Sequence, residues 1–438
     1  MRVEIPRGVG LDLHKKMIAA VLQTPEGEEK RLFGTTTRQL EALAEWMQAH
    51  QVTHVAMEGT GVYWKPAYNV LEEYPFELLV VNSKHYANPK GEKTDFRDAT
   101  HLCELLRHGL LQPSFIPSRE QRERRELAAY RRSMVRERAS EINRVQKVLE
   151  GANIKLASVA TDVMGASGRL MLTAMVQGVT DSQKLADMAC GKLREKLPAL
   201  EEALYGKIGE HQRMLLKQML SHIDHLDSQI ATLNAELDRR LQAWETQVKQ
   251  LDGIYGIGWE SAETILAVIG TDMSRFPSAD HLASWAGLSP ANNKSAGKQL
   301  KGKGKQNKGN RLLRETLIEC AHAIAHGGRS YLSAQYRRVA ARRGSAVAAV
   351  AVAHSLIVII YHMLKSGEEY HDLGPNYFDR RDRQKVAWRL AKRLEALGFK
   401  VSLCDTDLDA ALSDPVPANA EQGPELAPAT ESPRAFSE

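Results

Sequence analysis

The chain has 438 residues, of which 43% are hydrophobic; this suits two or three domains with buried cores and excludes a wholly disordered protein. Residues 405–438 carry eight acids and one arginine, so residues 1–404 hold a net charge of +12 within a chain whose total is +5. A body this basic favours a polyanionic partner, and nucleic acid before a membrane.

Several features predict a cytoplasmic protein. The start, MRVEIPRGVGLDLH, lacks the apolar core of a signal peptide. The apolar run at 346–364 contains two histidines and a serine, so a helix buried among other helices is favoured over a membrane span. The cysteines have no paired spacing and indicate neither a zinc site nor a disulfide framework; they are Cys103, Cys190, Cys320 and Cys404.

The first hundred residues show a mixed α/β pattern. Three strands connected by hairpin turns come first, and helices connect them to two further strands, in the order βββαβαβα. Pro66 is expected to break the second helix. This order is what a ribonuclease-H-type (RNase H-like) mixed sheet requires, although other mixed sheets match it. The segments are GVGLDLH, KMIAAVLQT, EKRLFGTT, TRQLEALAEWMQAH, VTHVAME, YWKPAYNVLEEY, FELLVVN and DFRDATHLCELLRHG.

From about Ser118 the pattern is helical. A long helix carries nine arginines and five glutamates between Arg119 and Arg144. Two interpretations stay open: a solvated face laced with salt bridges, or a basic rod along a phosphate backbone. Between Leu204 and Val248 apolar residues recur in steps of three and four, which predicts a coiled-coil seam within the chain or between two chains.

The remaining chain is predicted to be helical, with a lysine-rich loop, a basic amphipathic helix and an acidic tail that we expect to be disordered. The fold class is therefore α/β followed by all-α. The predicted parts are a catalytic sheet domain, a coiled-coil oligomerisation region, a second helical domain, a basic helix and the tail, at 1–115, 116–249, 250–372, 373–404 and 405–438.

Four acids stand where buried strands end or a helix begins. Asp12 lies in the first strand and Glu58 ends the fourth, and these strands are neighbours in a sheet of this order. Asp95 and Asp98 are three residues apart on one helical face, about 5–6 Å from each other. Alone, that pair could simply be neutralised by Lys93 or Arg97. With Asp12 and Glu58, four carboxylates in one pocket need cations to stay ionised.

Two Mg²⁺ ions roughly 3.5–4 Å apart, with Mn²⁺ as an alternative, would neutralise these acids and polarise a phosphodiester.

A second candidate site is the loop SPANNKSAGKQLKGKGKQNKGNR, whose glycines let the backbone approach a phosphate. A flexible basic linker would look similar. Its cations are Lys294, Lys298, Lys301, Lys303, Lys305, Lys308 and Arg311, and Ser295 lies at its start. A serine needs activation to act as a nucleophile.

A third candidate is LDGIYGIGWESAETIL, a helix, a glycine-bearing turn and a second helix. Such a helix-hairpin-helix-like element can offer backbone N–H groups to a nucleic-acid phosphate. The alternative is a helix corner whose glycines permit close packing.

Together, GVGLDLHKK, VAMEGTGVYW, KTDFRDA, LDGIYGIGWESAETIL and LASWAGLSPANNKSAGK resemble the DEDD-type insertion-sequence transposases of bacteria, over residues 8 to about 372. These recombinases join a Holliday-junction-resolvase-like (RuvC-like) domain to a C-terminal domain with an essential serine. The resemblance implies that Asp12, Glu58, Asp95 and Asp98 form the metal-binding tetrad. It also implies that Ser295 is the nucleophile, bonding transiently to a DNA 5′ phosphate.

The same resemblance implies partners. Better-understood members use a structured non-coding RNA of the element, a guide or bridge RNA, to pair with donor and target DNA. Members assemble as homodimers and homotetramers through their helical middle, with an active site that combines the acidic domain of one subunit with the serine domain of another. We expect no membrane partner, and a location at the bacterial nucleoid.

Rival interpretations remain. A metal-dependent, junction-resolving endonuclease would keep the four acids and need no serine. A non-catalytic nucleic-acid-binding protein would use the same scaffold, and Asp12→Asn would then leave its activity in cells untouched. A sugar-kinase-like ATPase shares the early strand order but would not account for the lysine-rich loop.

Overall fold

The computed structural model describes residues 4–59, 61–82, 94–289, 294–295, 298–299 and 309–403, with 294–295 and 298–299 described by their backbone alone. The chain divides into two compact units. The first is Met1–Ala323 with Ala353–Tyr370, and the second is Ile324–Val352 with His371–Glu438.

The first unit begins with a five-stranded mixed sheet in the order β3-β2-β1-β4-β5. β1 and β2, and β2 and β3, are antiparallel, whereas β4 runs parallel to both β1 and β5. The predicted order of strands and helices is confirmed, including the adjacency of the first and fourth strands. The elements are β1 (Gly8–Leu13), β2 (Met17–Thr24), β3 (Gly27–Gly34), α1 (Thr37–Ala49), β4 (His54–Glu58), α2 (Trp64–Leu71), β5 (Glu77–Val81) and α3 (Asp95–Arg107).

Helices cover both faces of the sheet. On one face Leu11 packs with Leu43 and Met47 of α1 and Leu71 of α2. On the other face Ala19 and Val21 of β2 pack against Ala99 of α3. Because alternate residues of a strand face opposite sides, β1 supplies an apolar side chain to one core and presents Gly10 and Asp12 to the side of α3.

Pro66 does not break α2, which corrects the expectation from sequence. It is the third residue of that helix. The N–H groups of the first helical turn have no intrahelical partner, so a proline there costs no hydrogen bond.

The helical part of the first unit is organised around two long helices of similar length, α4 (Arg119–Gly151) and α9 (Glu210–Leu241). Between them lie α5 (Leu156–Val159), α6 (Ala166–Val176), α7 (Ser182–Ala186) and α8 (Leu197–Leu204). Residues of α4, α6, α8 and α9 share one apolar core that includes Val145, Met171, Leu200 and Leu220. The remaining elements are α10 (Glu245–Asp252), α11 (Trp259–Ile269), α12 (Ala279–Trp285), β6 (Lys294–Ser295), β7 (Lys298–Gln299) and α13 (Arg311–His326).

The seam predicted for 204–248 differs from the structure in two ways. It is interrupted between α8 and α9, and again at 242–244. Its first part is also displaced by one residue, since Leu216 and Leu220 are buried whereas Leu215 is 39% exposed. From Ile223 to Leu241 the predicted spacing holds at Ile223, Leu226, Leu237 and Leu241, which are buried, whereas Ile230 and Leu233 are half-buried. The partners of this apolar stripe lie within the chain; assembly with a second copy stays a prediction.

The second unit contains α14 (Tyr331–Arg343), α16 (Tyr377–Arg381) and α17 (Arg383–Ala396). Phe378 stacks on Tyr331 with ring centroids 5.1 Å apart, and the Tyr331 N–H donates to the carboxylate of Asp372. The boundary between the units passes through α13 and through α15 (Ser345–Ser366). By length and composition α15 could cross a membrane, and half of its most apolar window is buried within the protein; one such helix is weak evidence for a membrane span.

Candidate active site

The site is built where α3 crosses β1. Gly10 makes this crossing close, because a Cβ placed on it would lie 2.2 Å from the carbonyl oxygen of Ala99 and 2.7 Å from the Cys103 nitrogen. The Cys103 thiol also donates to the carbonyl oxygen of Gly8 at 3.2 Å. The backbone of α3 therefore lies directly on β1.

The first turn of α3 carries Asp95 and Asp98. Thr94 caps the helix, its side-chain oxygen accepting from the Arg97 N–H at 3.3 Å. Carboxylates in the first turn are favoured by the positive end of the helix dipole. The start of α3 therefore carries Asp95 and Asp98 on the part of the helix that lies nearest the end of β1. Lys93, the alternative partner considered for this pair, lies outside the described residues.

Asp12, Asp95 and a histidine meet at this point. His14 Nε2 lies 3.2 Å from Asp12 Oδ2 and 3.2 Å from Asp95 Oδ1. One ligand atom from each of the three residues lies within 4.8 Å of the others. Burial raises the pKa of Asp12 above its usual value, His14 opposes this, and the charges of Asp98 and Asp95 add to it. Both acids of the first turn of α3 therefore act on the Asp12 carboxylate.

Glu58 is positioned by strand register. β4 runs parallel to β1 with Met57 opposite Leu11, so Glu58 follows Met57 as Asp12 follows Leu11. Residues so aligned on parallel neighbours face the same side of a sheet. Glu58 therefore lies on the same side of the sheet as Asp12, at the end of the neighbouring strand. Among the described residues, the acids whose oxygens lie within 4.8 Å of one another and of a His14 nitrogen are Asp12 and Asp95. Oxygen donors of this kind fit a hard divalent cation.

Sequence reasoning missed His14. The signal was present, because His14 follows Asp12 by two residues and β-strand periodicity puts such residues on one face. A pattern of carboxylates that predicts a Mg²⁺ site does not include a histidine, because Mg²⁺ prefers oxygen ligands.

The lysine-rich segment forms a hairpin in the part that the structure describes. Lys294 pairs with Gln299 and Ser295 with Lys298, in antiparallel register. The side chains of Lys294, Ser295 and Lys298 are not described, and residues Lys301, Lys303, Lys305 and Lys308 lie outside the described residues. Arg311 begins α13, where its Nε donates to Glu315 Oε1 at 2.8 Å from a side chain that is 82% exposed.

The two ends of this segment meet. Gly287 and Gly309 both have left-handed backbone angles, φ 73° and 53°. A Cβ on Gly309 would lie 2.3 Å from the Gly287 nitrogen, and the Asn310 N–H donates to the carbonyl oxygen of Trp285 at 3.0 Å. The segment that carries Ser295 therefore leaves and rejoins the helical scaffold at one point.

The arginines of α4 are used within the chain. All nine between Arg119 and Arg144 have a partner, which supports the salt-bridge interpretation of this helix over a free basic rod. The partners, in order, are Glu73, Glu72, Glu120, the carbonyl of Val268, Glu263, Glu319, Glu315, Asp227 and Glu141. They join α4 to the chain beside α2, to α9, to α11 and to α13, and so connect the sheet to the scaffold of the hairpin.

The glycine-bearing turn between α10 and α11 is open. A Cβ on Gly258 would meet no heavy atom within 4 Å, so close packing does not explain that glycine. Gly256 has a φ of 91°, a backbone conformation that glycine adopts readily because it has no Cβ, and this explains the glycine at that position.

Comparison with known proteins places two segments in one family. Residues 9–154 match a DEDD-type model described as "Transposase", and residues 248–337 match a model described as "Transposase IS116/IS110/IS902 family". The "Probable family 20 transposase" of Pseudomonas aeruginosa is 26% identical over 366 residues, which are 81% of this chain and 96% of the relative. The "Insertion element IS110 uncharacterized 43.6 kDa protein" of Streptomyces coelicolor is 27% identical over 162 residues, 37% of this chain and 39% of the relative.

The first matched segment contains β1, β4 and α3 with the four acids, and the second contains the hairpin with Ser295. Together the two segments cover more than half of the 438 residues. This protein belongs to the IS110/IS116/IS902 family of insertion-sequence transposases, with a DEDD-type domain at its N-terminal end.

Proposed function

We propose that the chain cuts and rejoins DNA at a divalent-metal centre held by Asp12, Glu58, Asp95 and Asp98, with Ser295 as the nucleophile. The observation that carries the proposal is the meeting of Asp12 with the first turn of α3, where Asp95 and Asp98 act on it. Divalent ions, Mg²⁺ or Mn²⁺, would polarise the scissile phosphate and stabilise the leaving oxygen when bound.

Ser295 would attack the phosphorus through Oγ. The bond from phosphorus to the 3′ oxygen breaks, the 3′ hydroxyl leaves with a proton, and the 5′ phosphate stays on the serine. Attack by another 3′ hydroxyl reverses the step and reseals a strand, so the exchange needs no ATP. Lys294 and Lys298 would compensate the charge that develops on the phosphate, and the other cations of the segment would hold the DNA backbone.

The proposal extends to partners and organisation. Donor and target DNA are the substrates, a guide RNA of the element selects them, and homodimers or homotetramers form through residues 116–249. The excess positive charge of residues 1–404 supports a nucleic-acid partner. We place the serine-bearing domain at 250–372 and the reaction in the cytoplasm. Sequencing the RNA that co-purifies with the protein tests the RNA part directly.

The test of the chemistry is a covalent trap. Full-length protein, together with the RNA that co-purifies with it, is incubated with plasmid DNA carrying the sequence that flanks its gene, denatured in detergent, and assayed for protein on DNA 5′ ends. We expect an adduct that Asp12→Asn and Ser295→Ala both abolish. Ser289→Ala, in the same segment, and Asp187→Asn, an exposed acid of the helical middle, should retain it.

A different result selects a rival. If Ser295→Ala cuts and joins DNA normally, the serine chemistry is wrong and a metal-only endonuclease remains. If Asp12→Asn is fully active in cells, the metal centre itself is wrong.

A further inference from the structure

His14 is placed between two of the acids. Its Nε2 is equidistant, at 3.2 Å, from Asp12 Oδ2 and Asp95 Oδ1. The ring is 47% exposed, Asp95 is 46% exposed, and Asp12 is largely buried. The histidine is therefore half-exposed beside the two acids, with one nitrogen directed at both carboxylates.

Stabilisation by a surface ion pair would explain little of this arrangement of His14 and the two acids. Pairs between exposed groups contribute about 0–1 kcal/mol. By contrast, an imidazole nitrogen and two carboxylate oxygens that converge on one point match the donor sets of transition-metal sites. The backbone from which the ring extends is held in the turn between β1 and β2, since the backbone N–H of His14 donates to the carbonyl oxygen of Met17 at 3.0 Å.

We propose that His14 is a nitrogen ligand of the divalent-metal centre, beside Asp12 and Asp95, and that it makes this centre select Mn²⁺ over Mg²⁺. The inference rests on the proposed function, because it presumes that the acids hold a metal. Mg²⁺ takes oxygen ligands, whereas an imidazole nitrogen is a ligand of transition metals; Mn²⁺ is the transition metal that, like Mg²⁺, is also suited to carboxylate oxygens. The acids alone would serve either ion; the added nitrogen favours Mn²⁺.

The experiment measures the metal directly, without DNA or turnover. Full-length protein is loaded with Mn²⁺, and pulsed electron paramagnetic resonance is used to detect coupling between the ion and a directly bound ¹⁴N nucleus. We expect this coupling in the wild type and its loss in His14→Ala and His14→Gln. His108→Ala is the matched control, since His108 lies at the other end of α3 and bonds the carbonyl oxygen of Glu104.

Calorimetric titration with Mn²⁺ and Mg²⁺ gives the second measurement. Removing His14 should weaken Mn²⁺ binding at least about tenfold, the lower end of what loss of even an outer-shell partner costs. Mg²⁺ binding should change by less than about threefold. His14→Gln keeps the size and polarity of the side chain, so a shared loss in both variants reports the nitrogen ligand and not a folding defect.

The outcomes separate the two proposals. If Mn²⁺ binds in a manner that requires Asp12 but shows no ¹⁴N coupling, the metal centre stands and the role of His14 is refuted. If Mn²⁺ binding does not depend on Asp12, both proposals fall. Equal loss of Mg²⁺ and Mn²⁺ affinity in His14→Ala would overturn the selectivity.

Discussion

The close crossing of α3 over β1 at Gly10 allows a sharp test of what positions Asp95 and Asp98 beside Asp12. In Gly10→Ala the new methyl group would lie 2.2 Å from the Ala99 oxygen, 2.7 Å from the Cys103 nitrogen and 3.1 Å from the Cys103 Cβ. Two of these three atoms are helix backbone, which cannot rotate away. To restore ordinary contact distances, α3 must move outward by about 1 Å.

Overpacking of this kind costs about 1–3 kcal/mol, and we expect the upper end because backbone must move. About 3 kcal/mol corresponds to roughly a hundredfold faster hydrogen exchange of the α3 amides, if they exchange through release of that helix. The same displacement carries Asp95 and Asp98 away from Asp12. A misplacement of about 1 Å can reduce a reaction rate about a hundredfold, so DNA cleavage should fall by a similar factor.

Gly8→Ala is the matched control, on the same strand and facing the same helix. Its methyl group would meet Leu106 Cδ2 at 3.2 Å and Arg107 Cγ at 3.3 Å, which are side-chain atoms that can shift. We expect stability within about 1 kcal/mol of the wild type, since alanine also loses less conformational entropy than glycine. Normal α3 protection and normal metal binding in Gly10→Ala would refute the argument that this glycine sets the position of the acids.

Three further predictions concern the scaffold. Burial raises the pKa of Glu263 to about 7 despite its ion pair with Arg131. The folded state therefore holds the Glu263 proton more tightly than the unfolded state does. As a result, the free energy of unfolding should fall as pH rises from about 4.5 to about 7. Urea unfolding at several pH values should show a smaller fall in Glu263→Gln. Gly309→Ala combines a left-handed φ with a methyl group 2.3 Å from a backbone nitrogen, so limited proteolysis should cut residues 288–308 faster. Leu237→Ala empties a fully buried position between α4, α9 and α11 and should cost about 2–5 kcal/mol in urea unfolding.

Each of these has its own contrary result. An unchanged pH profile in Glu263→Gln would assign the pH dependence to other groups. Unaltered proteolysis of Gly309→Ala would mean that the ends of the segment are not held together. For Leu237→Ala the control is Leu215→Ala, at the 39% exposed position of the same helix, which should stay within about 0.5 kcal/mol of the wild type.

The coiled-coil expectation shows where helical periodicity stops being informative. Steps of three and four predict an apolar stripe, and from Ile223 to Leu241 the stripe is where the spacing puts it. At Leu215 and Leu216 two adjacent leucines satisfy the period almost equally well. Which one is buried depends on the angle at which α9 meets its neighbours, and only tertiary packing sets that angle.

The long helix α4 shows the same limit for charge. Nine arginines in a row of helical turns suit a phosphate backbone and an intramolecular network equally well in sequence. Their acceptors include Glu72, Glu263, Glu315 and the carbonyl of Val268, which are distant along the chain. Pairing over such separations is invisible to local patterns.

The sequence by itself determined the order of strands and helices and the adjacency of β1 and β4, because hydrophobic period and strand connectivity are local properties. Only the tertiary structure brought Asp95 to His14 and Asp12, since that contact depends on how closely α3 crosses β1 at Gly10. The convergence of Gly287 and Gly309 likewise required the packed helices on either side. The local sequence determines which helices and strands form, and tertiary packing determines which of their side chains come into contact.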